Sequence, residues 1–367
     1  MARKRKTLPK EFDEILRSGD LSAMRAVFDA CELDAQGSYL KHTALAYVDC
    51  PDDLARWLVA EGADLEAADR YGRSPLHSRA GHWQGDIAVL IELGAKVDRP
   101  DGAESPLHAA ARVQKLAAAR LLLEHGARWN ARDQHGQTPL AAGLQQCNNA
   151  SLAAMAPMAE LLLEVGGAGP KPGLFTRLIG KAPRSEADDP ALKAMVRKLG
   201  ENFEFHRADF NPDTVDEASA GLERLYALFS VPPVPRRDLH PIDKPIILPE
   251  GGWQDAHQAL WKALVPGTGA APTVQGEVIR ISGRVADEIV RNGGINWDDN
   301  YREMVDAFDA HMASGMPLPD EALARSRVAA SEIRRKRGDP AVLMELAVQW
   351  VALNPMPIAL AKPDYDR

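Results

Sequence analysis

The densest group of polar and charged side chains lies in residues 275–298. Two carboxylates in it, Glu277 and Asp287, could serve as a general acid and a general base, with Asn296 and Trp297 contacting a substrate. A separation of ten residues places the two carboxylates about three helical turns apart, which is too far for them to act on one bond. A catalytic carboxylate pair is therefore the weaker interpretation of this region.

One helix is predicted to carry most of these charges. Between Thr273 and Arg291, apolar side chains recur at helical spacing and charged side chains fill the other positions. Opposite charges three or four residues apart, such as Glu277 with Arg280 and Asp287 with Arg291, are typical of surface pairs worth roughly a few tenths of a kcal/mol each. We therefore expect ordinary surface pairs and no catalytic residue.

Other patterns that carry chemistry are missing from the sequence. It contains no HExxH zinc motif, no phosphate-binding loop of the P-loop form and no GxSxG nucleophile elbow. The three cysteines, Cys31, Cys50 and Cys147, are scattered without a CxxC pair. This favours buried packing residues over a metal site or a disulfide framework. We predict no metal and no cofactor.

Composition bounds the class of protein. The chain has 367 residues, 45% of them hydrophobic, and a net charge of −8, which indicates two or three folded domains. No domain is basic overall, so binding to nucleic acid is not expected. Residues 1–10, with the basic run Arg3–Lys6, are predicted to be a mobile tail, the alternatives being a nucleic-acid arm or a localisation signal.

Membrane insertion is not expected either. No stretch approaches the roughly 18 consecutive apolar residues that a transmembrane helix needs, and the basic start leads into acidic residues without an apolar segment. We therefore expect no signal peptide, no membrane contact and a cytoplasmic location.

The N-terminal half repeats one short phrase at intervals of 31, 31 and 33 residues: Thr43-Ala44-Leu45-Ala46, Ser74-Pro75-Leu76-His77, Ser105-Pro106-Leu107-His108 and Thr138-Pro139-Leu140-Ala141. A Ser or Thr before Pro caps and begins a helix. A second phrase centres on Gly62, Gly94 and Gly126, which are 32 residues apart. Glycine there ends a second helix, because it adopts positive φ without strain. Each unit is therefore predicted to be helix, turn, helix, hairpin.

This pattern resembles the ankyrin repeat, in which copies must stack to bury their apolar faces. The resemblance implies about five repeats over residues 11–168, of which the first and last are degenerate. The first copy is expected at Glu11–Asp34, and the last copy carries an insertion near residues 145–157. By the same resemblance, His77 and His108 hydrogen-bond neighbouring backbone and tie the repeats together.

The rest of the chain is predicted to be helical as well, so the fold class is all-α: a solenoid followed by an α-helical C-terminal domain. We expect a helical cap at 169–230, a Pro-rich linker at 231–250 and the C-terminal domain at 251–367, with five helices that begin near residues 253, 273, 298, 320 and 340. The segment 264–298 resembles uncharacterised bacterial proteins, some of them joined to ankyrin-like halves, which implies a recurring module and no activity.

An ankyrin-like array implies a protein-binding surface made of hairpin tips and first helices. Tyr, Trp and Arg residues there are the expected anchors, above all Tyr71 and Trp83. Trp129 stands where other copies have Leu65 and Val97, so we expect it to pack inside. The candidate protein-binding residues are Tyr39, Arg70, Tyr71, Arg79, His82, Trp83, Asp101, Arg112, Gln134 and His135, with Pro100 beside them.

The sequence thus predicts a non-catalytic protein that binds one folded protein partner. A more specific hypothesis, taken from the family analogy, is a bacterial immunity or antitoxin protein whose acidic surface blocks a toxin domain. The alternative is an enzyme or ligand-binding protein with its site in the C-terminal domain, in which the repeats select the substrate.

Overall fold

The computed structural model describes residues 3–37, 39–100, 102–167 and 185–365. The chain folds as two compact units. The first, the repeat unit, comprises Met1–Glu201 and Pro212–Val234, and the second, the C-terminal unit, comprises Asn202–Asn211 and Pro235–Arg367. The boundary between Val234 and Pro235 lies within the Pro-rich segment.

In the described residues, the repeats are built by four pairs of α-helices and one pair of a 3-10 turn and an α-helix. In chain order they are α1 (Phe12–Arg17) with α2 (Leu21–Ala30), a 3-10 turn (Ala44–Ala46) with α3 (Asp52–Ala60), α4 (Pro75–Ala80) with α5 (Ala88–Glu92), α6 (Pro106–Arg112) with α7 (Leu116–Glu124), and α8 (Pro139–Gln146) with α9 (Leu152–Gly167). The all-α solenoid is confirmed.

The repeated phrases begin and end these helices for the expected reasons. Ser74, Ser105 and Thr138 each accept a hydrogen bond from the backbone amide three residues later, at 3.3 to 3.4 Å. The glycines of the second phrase have φ values of +102°, +96° and +88°. Thr43 lacks a following proline and begins only a three-residue 3-10 turn.

The N-terminal segment is more ordered than a mobile tail. Strand β1 (Arg5–Thr7) pairs in parallel with β2 (Cys31–Gln36). Leu8 directly after it is buried, and its amide donates to Gln36 O at 3.1 Å. The strand forms because the apolar Leu8, which follows the basic run, is buried. The charges of the run by themselves do not indicate this.

Helix α9 corrects the expectation that no stretch resembles a membrane span. Asn149–Gly167 is the one helix in the described residues that is long and apolar enough to cross a membrane by length and composition. Met155, Met158 and Leu162 of this helix are fully buried, and the helix packs against α8 and α11 (Pro212–Phe229). Packing inside the repeat unit accounts for the apolar composition.

Glycine brings α11 close to the last repeat. A Cβ at Gly221 would lie 2.6 Å from Leu152 O, so only glycine allows this approach. Arg224 Nε of α11 also donates to Glu160 Oε1 at 2.9 Å. Helix α10 (Pro190–His206) precedes α11. The part of the predicted cap at 169–184 lies outside the described residues.

The C-terminal unit contains the five predicted helices. These are α12 (Trp253–Leu264), α13 (Val274–Ala286) followed by a π-turn (Asp287–Arg291), α14 (Asp299–Met312), α15 (Asp320–Ile333) and α16 (Ala341–Leu353). Helix α13 contacts α12, α14 and α16. Every residue of α13 from Val274 to Ser282 is buried, so this helix is the centre of the unit and lacks the exposed charged face that was predicted there.

Candidate functional site

The hairpin tips of the repeat unit turn their carboxylates inward. Asp69 Oδ1 accepts hydrogen bonds from the amides of Tyr71 and Arg73, both at 2.8 Å. Asp133 repeats this arrangement two tips later with the amides of His135 and Gln137, at 2.8 and 2.9 Å. Both carboxylates are buried. Because they fix the tip backbone, the side chains at the turn itself, among them Tyr71 and His135, are exposed.

Four outward residues form a contiguous group, which we call the tip cluster: Tyr39, Arg70, Tyr71 and Arg73. The Arg70 guanidinium carbon lies 4.6 Å from the ring centroid of Tyr39 and 5.4 Å from that of Tyr71. Its Nη1 donates to Tyr39 O at 3.3 Å, and Arg73 lies 5.3 Å from the Tyr71 ring. Tyr39 is 71% and Tyr71 56% exposed. The structure thus joins three predicted binding residues and adds Arg73, which the sequence analysis missed.

A second exposed group lies on the loop of residues 81–87, between α4 and α5. The rings of His82 and Trp83 stack with centroids 6.2 Å apart, and Trp83 is 73% exposed. Lys115 Nζ donates to His82 O at 3.1 Å and also to Gly85 O. A Cβ at Gly85 would lie 2.2 Å from Arg79 O, so glycine is needed where the loop folds back. The loop therefore presents Trp83 from a fixed backbone.

The prediction that Arg79 is a surface binding residue is wrong. Arg79 is 1% exposed, and its Nε donates to Leu45 O at 2.8 Å. Its Nη2 and Nη1 donate to Cys50 O at 3.1 Å and Asp86 O at 3.3 Å. In the preceding repeat a 3-10 turn takes the place of the first helix, and Arg79 donates a hydrogen bond to a carbonyl of that turn. Arg79 is a positioning residue that also holds the Trp83 loop.

Arg112 is half-buried and already engaged. Its Nε lies 2.8 Å from Glu104 Oε1, and its Nη2 lies 3.2 Å from Asp133 Oδ2. His77 Nε2 lies 3.5 Å and Arg73 Nη2 3.8 Å from Glu104 Oε2. His77, helped by these two arginines, holds the pKa of Glu104 at about 2 although burial opposes the shift. Arg112 thus stabilises the junction between repeats.

The remaining candidates at the last tip are exposed. Gln134 Nε2 and His135 Nε2 lie 3.3 Å apart there, and Pro100 is exposed at the tip before it. The candidate Asp101 lies outside the described residues.

Comparison with known proteins shows which family the repeats are similar to. The ankyrin repeat model matches residues 104–134, which include α6, α7 and the start of the tip after them. The repeat unit is an ankyrin array. Human ankyrin repeat and SOCS box protein 16 is 38% identical over 111 residues, which are 28% of this chain and 23% of that protein. Zebrafish ankyrin repeat and SOCS box protein 11 is 48% identical over 54 residues, 15% of this chain and 18% of that protein.

A third relative is of the same kind. Mouse ankyrin repeat and SOCS box protein 9 is 32% identical over 95 residues, 26% of this chain and 31% of that protein. The chain thus spans less than a third of the length of each of these relatives. All three are vertebrate proteins, so these comparisons do not support the predicted bacterial origin.

Within the ankyrin array, the histidines of the repeated phrase differ. His108 Nε2 lies 2.9 Å from Gln137 O, which confirms the expected link to neighbouring backbone. His77 faces the Glu104 carboxylate instead. Trp129 is half-buried and lies against α9, where a Cβ at Gly166 would lie 3.0 Å from its ring. The three cysteines are buried and unpaired, as expected.

In the C-terminal unit, the predicted surface pair of Glu277 and Arg280 is wrong. Both side chains are at most 1% exposed, with Arg280 Nη2 2.7 Å from Glu277 Oε1. Tyr365 OH donates to the same carboxylate at 2.7 Å, and the Ala271 amide donates to it at 2.8 Å. Burial by itself raises the pKa of Glu277, but the bonds from Arg280 outweigh it and the pKa is lowered.

The two carboxylates of the catalytic alternative have separate surroundings. Asp287 is exposed on the π-turn, where Oδ1 lies 3.0 Å from Arg291 Nε. The backbone amide of Asn296 donates to Oε1 of the buried Glu288 at 2.7 Å, so Asn296 contacts a third carboxylate. The two carboxylates of this weaker interpretation thus contact different partners.

A cleft in the C-terminal unit keeps the ligand-binding alternative open as a prediction. It has a volume of about 790 Å³, and its lining includes Trp261, Arg284 and Tyr301. His257 at its floor is buried, which lowers its pKa to about 4, and its Nε2 lies 2.9 Å from Ser282 Oγ. In the described parts of the chain, no three His, Cys, Asp or Glu side chains come together as a metal site.

Proposed function

We propose that the ankyrin array binds one folded protein partner through the tip cluster and the Trp83 loop, without catalysis. The observation that carries the proposal is the preformed stack of Tyr39, Arg70 and Tyr71, which is exposed and yet held in one arrangement. Tyr, Trp and Arg dominate binding energy at protein interfaces. Side chains already held in place lose little conformational entropy on binding.

The position of Trp83 supports a partner of some size. Tyr71 precedes helix α4 and Trp83 follows it, and six helical residues rise by about 9 Å. A partner that covers both aromatic groups must therefore extend along the first helix of this repeat. A contact of this length is typical of a folded protein surface and exceeds what a single inserted side chain can cover.

The more specific hypothesis of a toxin-blocking immunity protein has weaker support. The three relatives compared are ankyrin repeat and SOCS box proteins, so they offer no link to a toxin. Such a protein needs an acidic surface to cover a basic site, whereas the exposed tips carry Lys41, Arg70, Arg73 and Arg132.

The test is affinity capture with the full chain, in which chemical cross-linking and mass spectrometry identify the partner and the array residues that it touches. The double variant Tyr71→Ala with Trp83→Ala is expected to lose the partner. The matched control, Ile247→Ala with Ile295→Ala, removes two exposed apolar side chains of the C-terminal unit and is expected to retain it. Retention by both variants, or cross-links confined to the C-terminal unit, would contradict the proposal.

A further inference from the structure

Among the residues that the structure describes, the exposed charges of the hairpin tips have the opposite sign to the chain as a whole. Lys41, Arg70, Arg73 and Arg132 are exposed at the tips, on a protein of net charge −8. The tip carboxylates that the structure describes, Asp69 and Asp133, are buried against backbone amides. Glu104 is half-buried and lies 2.8 Å from Arg112 and 3.8 Å from Arg73. The tips therefore present cations and aromatic rings outward.

Backbone hydrogen bonds join the four tips in two pairs. The Arg70 amide donates to Leu40 O at 3.0 Å, and the Gly102 amide donates to Arg132 O at 3.1 Å. Packed helices lie about 10 Å apart, so the four tips extend over about 30 Å. An extended peptide rises about 3.3 Å per residue and would cover this length with about nine residues.

From this arrangement we infer that the partner presents an acidic peptide segment to the tips, an inference that rests on the proposed function. Guanidinium groups bind carboxylates through paired, charge-assisted hydrogen bonds. Arg70 is already oriented by the rings of Tyr39 and Tyr71. Alternating acidic residues of an extended segment fall on one face, where all of them can reach the cations.

Phosphates of a nucleic acid are the other class of anion to consider. Affinity for nucleic acid grows with the number of phosphates neutralised, and a site of four cations neutralises few. The remainder of the chain is acidic and repels a long polyanion that extends beyond the tips. A short acidic protein segment can contact the cations without extending into the repelling remainder of the chain. The charges therefore favour such a segment over a nucleic acid.

The experiment measures fluorescence anisotropy of labelled peptides of about nine residues on the full chain. The probes alternate alanine with glutamate, glutamine or lysine, and a labelled single-stranded oligonucleotide is the fourth. We expect the glutamate probe to bind tighter than the other three, and more weakly as salt rises from about 0.05 to about 0.3 M. Equal binding of the glutamine probe, or preference for the lysine probe or the oligonucleotide, would overturn the inference.

Charge-reversed variants locate the site. Arg70→Glu with Arg73→Glu is expected to weaken binding of the glutamate probe by about tenfold or more. Arg120→Glu, on exposed α7, is the control and is expected to change it by less than about twofold. Unchanged binding by the double variant would overturn the inference. If capture still depends on Tyr71 and Trp83 while the glutamate probe fails, only the acidic chemistry is wrong; if both fail, the proposed function falls.

Discussion

Replacing Glu104 with glutamine is expected to destabilise the ankyrin array at neutral pH and to matter less in acid. Glutamine keeps the size of the side chain but removes the charge that faces Arg112 at 2.8 Å and His77 at 3.5 Å. These two side chains, with Arg73, come from two consecutive repeats. The substitution therefore weakens a junction between repeats without creating a cavity.

The magnitude follows from the pKa of Glu104, which falls from 4.5 to about 2 on folding. At about 1.4 kcal/mol per pKa unit the shift corresponds to about 3 kcal/mol, and partial solvent screening reduces this to about 2 kcal/mol. A carboxyl whose pKa is lowered on folding stabilises fully above its unfolded pKa and loses that effect as pH falls toward the folded value. At about pH 3 less than half of the effect should remain.

Hydrogen exchange with mass spectrometry, done on the full chain, measures the exchange of residues 104–134 separately from that of the other residues. At pH 7 its slowest amides should exchange about 30-fold faster in Glu104→Gln than in the wild type, with a smaller ratio at about pH 3. Glu124→Gln, at the exposed end of α7, is the matched control and should change neither value. An equal ratio at both pH values, or no change at pH 7, would refute the electrostatic reasoning.

Two further substitutions probe buried contacts. Arg79→Met removes three hydrogen bonds to backbone carbonyls, so it is expected to lower the free energy of unfolding in urea by about 3 kcal/mol. It is also expected to raise acrylamide quenching at Trp83. Unchanged stability would contradict the positioning role of Arg79. Tyr365→Phe leaves Glu277 without one donor and is expected to cost about 1 to 3 kcal/mol. Burial and the Glu277 carboxylate raise the pKa of Tyr365, so the wild-type advantage should hold through neutral pH and shrink as pH rises above about 10. A difference independent of pH in that range would show that the hydroxyl proton is not involved.

Exposure at the tips was predictable in part. Tyr39, Tyr71 and Trp83 are exposed as expected, because the repeat phrase fixes where each hairpin and loop occurs. Arg79 was assigned wrongly because its burial depends on the short 3-10 turn of the preceding repeat, whose carbonyls it bonds. Arg73 joins the tip cluster through a ring contact within the hairpin, for which residue type and spacing gave no signal.

The sequence by itself determined the ladder of helix pairs, since proline, serine and glycine act on the backbone within a few residues of their own position. Only the tertiary structure decided which charges are exposed. Glu277 and Arg280 have the spacing of a surface pair, yet Tyr365, 88 residues away, bonds to Glu277. Helical spacing records which residues share a face, whereas burial of that face depends on chain segments that are distant in sequence.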